Sequence, residues 1–139
     1  ARADALWQAL GVRPLPAWQG MVDQHWPGAL TLVLPASGEL AALLNPGGTS
    51  LGVRIPACPA ALALLEASGP LATTSANRSG EAPCLTAAEA LQRFPDVPRL
   101  APEPWPAPSG QASTVLAWEP QGRWRLLRAG AVLPPGIAP

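Results

Sequence analysis

The alternation of apolar runs with breaking residues predicts a chain in which helices and strands follow one another. Helix-type patterns cover residues 1–10, 17–26, 39–44, 60–68 and 87–94, with proline, glycine or a capping residue at most of their ends. Shorter apolar runs predict strands at 29–34, 51–55, 71–74, 113–118 and 124–128. The last two flank Pro120-Gln121-Gly122 and predict a β-hairpin. This order indicates an α/β domain with a mixed sheet.

Proline marks the irregular parts of the chain. Six of the fourteen residues at 95–108 are proline, which predicts an irregular connection. The segment after Gly130 is also rich in proline and is predicted to be unstructured or extended. We therefore expect one domain at residues 1–130 and a tail at 131–139.

Composition narrows the class of protein. A length of 139 residues fits one domain, and 48% hydrophobic residues are enough for a core. The net charge is zero, so the charge gives no indication of nucleic-acid binding. All nine basic residues are arginine, which excludes lysine chemistry within this chain.

The few cysteines and histidines argue against a protein-held metal. Cys58, Cys84 and His25 have no zinc-ligand spacing, and two cysteines do not form a disulfide framework. A reducing, cytoplasmic location is expected. No apolar run reaches transmembrane length, and no secretory signal pattern opens the chain.

The segment at 73–80 (TTSANRSG) is the most informative polar stretch. Ser75 and Asn77 are two residues apart, so on an extended backbone both side chains point to one side. A hydroxyl and a carboxamide just past a strand end form a clamp that suits phosphate, ribose or amino-acid groups. The alternative is an ordinary polar turn, since serine, asparagine and glycine are also turn residues.

Two arginines lie in or beside predicted strands. Arg54 interrupts a segment with a buried-strand pattern, so it needs either an ion-pair partner or an anionic ligand. Its planar fork suits a carboxylate or phosphate. Arg128 ends the last predicted strand, where a charge also discourages edge-to-edge pairing.

Four segments, taken in order, resemble one family. Trp26–Leu34 (WPGALTLVL) is similar to its "WPGPLTLVL" stretch, and 51–56 (LGVRIP) to its "VRxP" strand. Residues 74–80 (TSANRSG) resemble its "SANxSG" motif, and 113–115 with 127–130 its "STVV…LRxG" ending. Through these four motifs the chain resembles the YrdC-like family of threonylcarbamoyl-AMP synthases. The resemblance implies a twisted mixed α/β sheet with flanking helices.

The resemblance also implies an activity. Such enzymes combine L-threonine, bicarbonate and ATP, with Mg²⁺ accompanying the nucleotide, and release pyrophosphate and threonylcarbamoyl-AMP. The product feeds the t6A transferase machinery, which modifies an adenosine of tRNA. Contact with tRNA or double-stranded RNA is a further implied property.

Seven residues match positions to which the family gives a role. By resemblance, Ser75 and Asn77 face ATP and threonine, and Arg54 holds the threonine carboxylate. Ser50 lies near the nucleotide, Ser113 beside threonine and Arg128 near the nucleotide. Thr86, at a predicted helix N-terminus, is placed near ATP, where a phosphate contact would be favourable.

The match departs from the family at its opening. The "PTDTVYGL"-like segment and the "KxR" motif have no counterpart here, so no catalytic residue is assigned, and strand and helix elements of the family sheet are expected to be absent. Three explanations stay open: a fragment of a longer product, a partner chain that supplies the opening, or a homologue without synthase activity. We expect the isolated chain to have little or no activity.

Three other functions compete with this interpretation. The first is a double-stranded RNA- or nucleotide-binding module without catalysis, against which the zero net charge argues. The second is a carbamoyl-transfer domain of hydrogenase-maturation type, which would carry zinc-finger cysteines that are not found here. The third is a folded but inert remnant.

Overall fold

Helices and strands alternate as the sequence pattern predicts. The computed structural model describes residues 3–138, and within them the element order is α1 (Ala3–Leu10), α2 (Pro16–His25), β1 (Leu30–Pro35), α3 (Glu39–Leu44), β2 (Ser50–Val53), α4 (Pro59–Ser68), α5 (Ala87–Arg93), β3 (Thr114–Glu119) and β4 (Arg123–Arg128). The first two residues of the first predicted helix lie outside the described residues. The chain divides into two compact units, Ala1–Pro70 with Gln111–Pro139, and Leu71–Gly110.

The larger unit contains a four-stranded mixed sheet with the order β2-β1-β3-β4. Strand β1 pairs antiparallel with β2 and parallel with β3, whereas β3 and β4 form an antiparallel hairpin. Gly122 closes the hairpin at a φ of 79°, a left-handed conformation that glycine adopts without strain. The predicted hairpin and the predicted mixed sheet are therefore confirmed.

Alternation along the strands gives the sheet two different faces. Leu30, Leu32 and Leu34 of β1 are fully buried on one face, together with Leu116 of β3. Helices α1 and α2 cover this face through Trp7, Leu10, Trp18 and Val22. Because side chains alternate in a strand, the residues between these leucines lie on the opposite face.

Four tryptophan rings form a series of contacts that leads from the helices to the sheet. The ring centroids of Trp7 and Trp18 are 6.4 Å apart, and those of Trp18 and Trp118 are 6.0 Å apart. Trp124 follows at 4.9 Å from Trp118. The last two pairs are edge-to-face contacts, an arrangement that aromatic quadrupoles favour. These rings join α1, α2, β3 and β4 into one packed layer.

A carboxylate between two arginines holds the tip of the hairpin. Glu119 accepts from Arg123 Nε at 2.7 Å and from Arg125 Nε at 2.8 Å. The hydrogen bond from Arg123 is the main cause that lowers the pKa of Glu119 below its ordinary value of 4.5. Glu119 is therefore ionised at neutral pH, and both arginines are engaged within the hairpin.

The predicted strand at 71–74 is wrong. These residues have no regular secondary structure, and the side chain of Leu71 is 47% exposed. A short apolar run forms a strand only where another strand pairs with it, and the four-stranded sheet does not include this segment. The premise that Ser75 and Asn77 follow a strand is therefore wrong as well.

The segment after β4 is packed against the sheet and is not unstructured. The amide of Ala131 donates to the carbonyl of Ala112 at 3.0 Å, and Thr114 Oγ1 donates to the carbonyl of Val132. Pro134 is fully buried and Ile137 packs against the core. The proposed boundary between a domain at 1–130 and a tail at 131–139 stays a prediction.

Helix α4 is apolar but lies largely at the surface. Eight of its ten residues are proline, alanine or leucine, and none of the ten is buried. A helix that is apolar on all sides normally lies inside a protein. Helix α4 departs from this rule, because Ala60, Ala61, Leu62 and Leu65 are only half-buried and its other residues are exposed.

In the smaller unit, the predicted cap of α5 by Thr86 is confirmed, although the Glu89 side chain reaches back to Leu85 and not to Thr86. Thr86 Oγ1 accepts from the amide of Glu89 at 3.1 Å, and Glu89 Oε2 accepts from the amide of Leu85 at 2.7 Å. The first hydrogen bond satisfies the Glu89 amide, one of those that a helix start leaves without partners, and the second ties the residue before the cap to the helix.

Replacement of the cap residue is expected to loosen this helix. Thr86→Ala removes the acceptor for the Glu89 amide and should lower the local stability of α5 by about 1 kcal/mol. Amide hydrogen exchange across Ala87–Arg93 measures the change. Thr86→Ser keeps the hydroxyl and should retain near wild-type protection, whereas equal exchange in both variants would contradict the capping role.

Candidate functional site

The second face of the sheet carries the polar positions predicted from the sequence. The register aligns Val33 with Gly52 and with Ala117, and Thr31 with Val115. Val115 in turn lies opposite Arg128, and Pro35 opposite Ser50. We define the second face by the following residues: Thr31, Val33, Ser50, Gly52, Val115, Ala117 and Arg128. Small side chains in its middle leave a surface bordered by hydroxyls and arginine.

Ser113 and Arg128 are in direct contact. Arg128 donates to the Ser113 carbonyl from Nε at 3.1 Å and from Nη2 at 2.9 Å, so the guanidinium grips one oxygen with two donors. Nη2 also lies 3.2 Å from Ser113 Oγ. Ser113 is 8% exposed. The pair therefore forms a fixed hydroxyl–guanidinium arrangement at the end of the sheet.

Gly130 makes this arrangement possible. A Cβ atom at this position would lie 2.3 Å from the Ala112 carbonyl oxygen and 2.5 Å from backbone atoms of Ser113 and Thr114. Such contacts would push apart the two segments that carry Ser113 and Arg128. Only glycine allows this close approach of one backbone to another.

Arg54 is exposed, not buried within a strand as its sequence context suggested. Strand β2 ends at Val53 and lies at the edge of the sheet, so Arg54 follows it directly. Its Nε donates to the Gly28 carbonyl at 2.7 Å, which turns the guanidinium toward the start of β1. Partial desolvation lowers its pKa, but an arginine remains charged at neutral pH.

Ser50 begins β2 and is partly exposed. Its carbonyl accepts from Asn45 Nδ2 at 2.9 Å, and it pairs with Pro35 at the far end of β1. The loop before it is therefore tied to the strand. Ser50 belongs to the second face, whereas Arg54 lies one residue beyond β2, beside the start of β1.

Ser75 and Asn77 lie in a turn. The amide of Asn77 donates to the Ser75 carbonyl at 3.0 Å, and the Asn77 side chain donates to the Arg78 carbonyl at 2.9 Å. The amide of Cys84 donates to the carbonyl of Ala76 at 2.8 Å and closes the loop. The polar-turn alternative describes this backbone, and a ligand contact of the two side chains stays a prediction.

Thr86 is already engaged in its own helix. Its oxygen accepts the capping hydrogen bond, and the Glu89 carboxylate lies beside the same helix start. That negative charge opposes a phosphate at this position. The predicted contact of Thr86 with ATP stays untested.

The seven predicted residues fall in two groups. The larger unit contains Ser50, Arg54, Ser113 and Arg128, and the smaller unit contains Ser75, Asn77 and Thr86. Sequence reasoning missed Thr31, whose hydroxyl contacts Ser113, and it missed the roles of Gly28 and Gly130. A single hydroxyl inside the apolar run at 29–34 was the available signal for Thr31.

Two further features bear on ligands and location. Among residues 3–138, no three histidine, cysteine, aspartate or glutamate side chains are grouped so that they could hold a metal ion. The helices of the described part are all too short or too polar to cross a membrane.

Ser113, Arg128 and Arg54 place a hydroxyl and two guanidinium groups near the start of β1, and such donors can bind anionic oxygens. The family model for Sua5/YciO/YrdC proteins, described as "Telomere recombination", matches residues 8–130. The chain therefore belongs to this family.

Curated relatives point in the same direction. A threonylcarbamoyl-AMP synthase from Idiomarina loihiensis is 44% identical over 76 residues, which cover 54% of this chain and 41% of the relative. One from Alkalilimnicola ehrlichii is 38% identical over 95 residues, which cover 68% of this chain and 48% of the relative. The matches span less than half the length of these relatives.

Solved structures confirm the fold. Sua5 of P. abyssi in complex with L-threonine is 26% identical, with a TM-score of 0.71 over 92% of this chain and 44% of that protein. Its H234A/Y235A variant has a TM-score of 0.74 over 93% of this chain and 46% of that protein. More than nine-tenths of this chain thus corresponds to under half of a Sua5 polypeptide.

Proposed function

We propose that this chain carries part of the ATP- and threonine-binding surface of an L-threonylcarbamoyladenylate synthase. The observation that supports it best is the contact of Arg128 with Ser113, because two residues matched to nucleotide and threonine positions are fixed side by side. Ser50 lies on the same face toward the far end of β1, and Arg54 lies beside the start of β1. The proposed reaction is the one named for the curated relatives, which are threonylcarbamoyl-AMP synthases.

The reaction places heavy demands on such a surface. Threonine and bicarbonate give a carbamate with loss of water. A carbamate oxygen then attacks the α-phosphorus of ATP, the bond from that phosphorus to pyrophosphate breaks, and pyrophosphate leaves. Negative charges converge in the transition state, so catalysis depends on positioning and on cationic donors. Arg54 and Arg128 supply two such donors, with Ser50 and Ser113 as neutral ones.

Magnesium would enter with the nucleotide. The described residues show no cluster of carboxylates for a protein-held ion, and Mg²⁺ is commonly bound through substrate phosphates and water. The cation would neutralise phosphate charge when bound. Our proposal therefore requires no metal ligand from this chain.

With this product, the proposed role of the protein is in tRNA modification, and its proposed location is the cytoplasm. Threonylcarbamoyl-AMP would pass to the transferase machinery that forms t6A. Threonine, bicarbonate and ATP are the proposed small-molecule partners, and a tRNA contact is a separate proposal.

If RNA is bound through its phosphates, the affinity of the protein for RNA should fall steeply as the salt concentration rises.

The isolated chain is expected to bind ligands with little or no turnover. It has no lysine, and each absent phosphate-facing donor costs roughly 3–4 kcal/mol of transition-state stabilisation. Calorimetry with ATP and with threonine measures binding, and a pyrophosphate-release assay with bicarbonate measures turnover.

A matched control makes this result interpretable. The double variant Arg54→Ala/Arg128→Ala, purified in the same way, reports any pyrophosphate release from contaminating enzymes. Robust turnover by the wild-type chain above this control would show that the lysine-bearing motif is dispensable. Absence of binding to both ligands would identify an inert remnant.

A further inference from the structure

Thr31 connects β1 to the Ser113–Arg128 pair. Its Oγ1 lies 2.8 Å from Ser113 Oγ, although the two residues are 82 positions apart in the chain. The register explains the contact, because Thr31 pairs with Val115 and Ser113 is two residues before Val115 on the same face. Arg128 lies opposite Val115 on the other side. Thr31 and Arg128 thus flank Val115 in one row of the sheet, and both contact Ser113 just before β3.

The strand itself does not require a hydroxyl at this position. Leu30 and Leu32, on either side of Thr31, point to the opposite face and are fully buried. Valine has nearly the shape of threonine and an equal or higher preference for strands. The hydroxyl of Thr31 must therefore be explained by what it contacts, and that contact is Ser113.

Counting donors and acceptors shows what the contact achieves. The Arg128 guanidinium can only donate, so Ser113 Oγ is the acceptor in their contact at 3.2 Å. Either hydroxyl can donate between Thr31 and Ser113. If Thr31 donates, both lone pairs of Ser113 Oγ are occupied and its own hydrogen is left for another acceptor. A nearby anionic oxygen, of carboxylate or phosphate, favours that arrangement.

We propose that Thr31 is a positioning residue that fixes the Ser113 hydroxyl, so that its hydrogen is presented to an anionic oxygen of the bound ligand. The Thr31 side chain is stiff because it is β-branched, and it lies on the central strand β1. It thereby holds Ser113 in one rotamer beside Arg128. The inference rests on the proposed function only for the identity of that ligand, threonine or ATP.

Thr31→Val tests the inference with the smallest change of shape. We expect affinity for threonine or for ATP, titrated separately, to fall about three- to tenfold, the effect of one neutral hydrogen bond. Thr31→Ser keeps the hydroxyl and should restore most of the affinity. Thr49→Val makes the same chemical change at an exposed position before β2 and should leave both affinities at the wild-type value.

A second measurement needs no ligand. Three-bond proton couplings of Ser113 should show one side-chain rotamer in the wild type and in Thr31→Ser, and averaging over rotamers in Thr31→Val. If the wild type binds neither ligand, the proposed function fails, while the couplings still decide whether Thr31 fixes Ser113. A single rotamer in Thr31→Val, or rotamer averaging with unchanged affinity for a ligand that the wild type binds, would overturn the inference.

Discussion

Leu32→Ala is expected to lower the free energy of unfolding by about 2–5 kcal/mol, the largest effect on stability that we predict. Leu32 is fully buried in β1, where it pairs with Val53 on one side and Leu116 on the other. Truncation removes apolar contacts and leaves a cavity that paired backbones on both sides cannot close. Because small domains are only marginally stable, a loss of this size removes much of the total.

Urea unfolding followed by circular dichroism measures this loss. Leu43→Ala in α3 is the matched control, since the same side chain is 70% exposed there and should change stability by less than about 0.5 kcal/mol. Similar losses in the two variants would mean that the sheet does not form the core. A smaller slope against urea in Leu32→Ala would instead indicate an altered unfolded or native state.

Loss of threonine affinity is the second large effect, expected for Arg54→Ala. A hydrogen bond to a charged group contributes about 1.5–3 kcal/mol to the free energy of binding. The affinity for threonine should therefore fall about 10- to 150-fold. Arg54→Lys keeps the charge but not the planar fork, and should recover only part of the affinity. Nuclear magnetic resonance titration of threonine, with ATP present and absent, measures the change.

A ligand that lacks the carboxylate makes the test specific. Wild-type protein should prefer threonine to threoninol, and Arg54→Ala should lose this preference if the guanidinium holds the carboxylate. Arg123→Ala removes an equal charge from a side chain that is 72% exposed, and should change threonine affinity less than twofold. A preference that survives in Arg54→Ala would assign the carboxylate to another residue.

Local patterns predicted much of the fold. The apolar run that became β1, the turn at Pro120–Gly122 and the Thr86 cap of α5 each depend on residues close in sequence. Their local preference agrees with the final structure, so short windows were sufficient. The family motifs added the correct fold class, which the structural comparisons confirm.

Long-range pairing could not be predicted from these patterns. Residues 71–74 have a strand-like composition, but a strand depends on a neighbour that composition does not specify. Arg54 was expected to be buried because its segment is apolar, yet β2 lies at the sheet edge. The contact between Thr31 and Ser113 depends on the parallel register of β1 and β3, which no single segment encodes.

The tryptophan layer gives this protein a built-in optical signal for its own folding. The chain has six tryptophans and no tyrosine, so near-ultraviolet signals come almost entirely from indole rings. The layer takes one ring from each of four elements, and the centroids of successive rings are no more than 6.4 Å apart. Its members are Trp7, Trp18, Trp118 and Trp124. Their mutual orientation produces near-ultraviolet circular dichroism only while the helices are packed on the sheet. Loss of that band with retained far-ultraviolet signal would identify a state in which secondary structure outlasts packing.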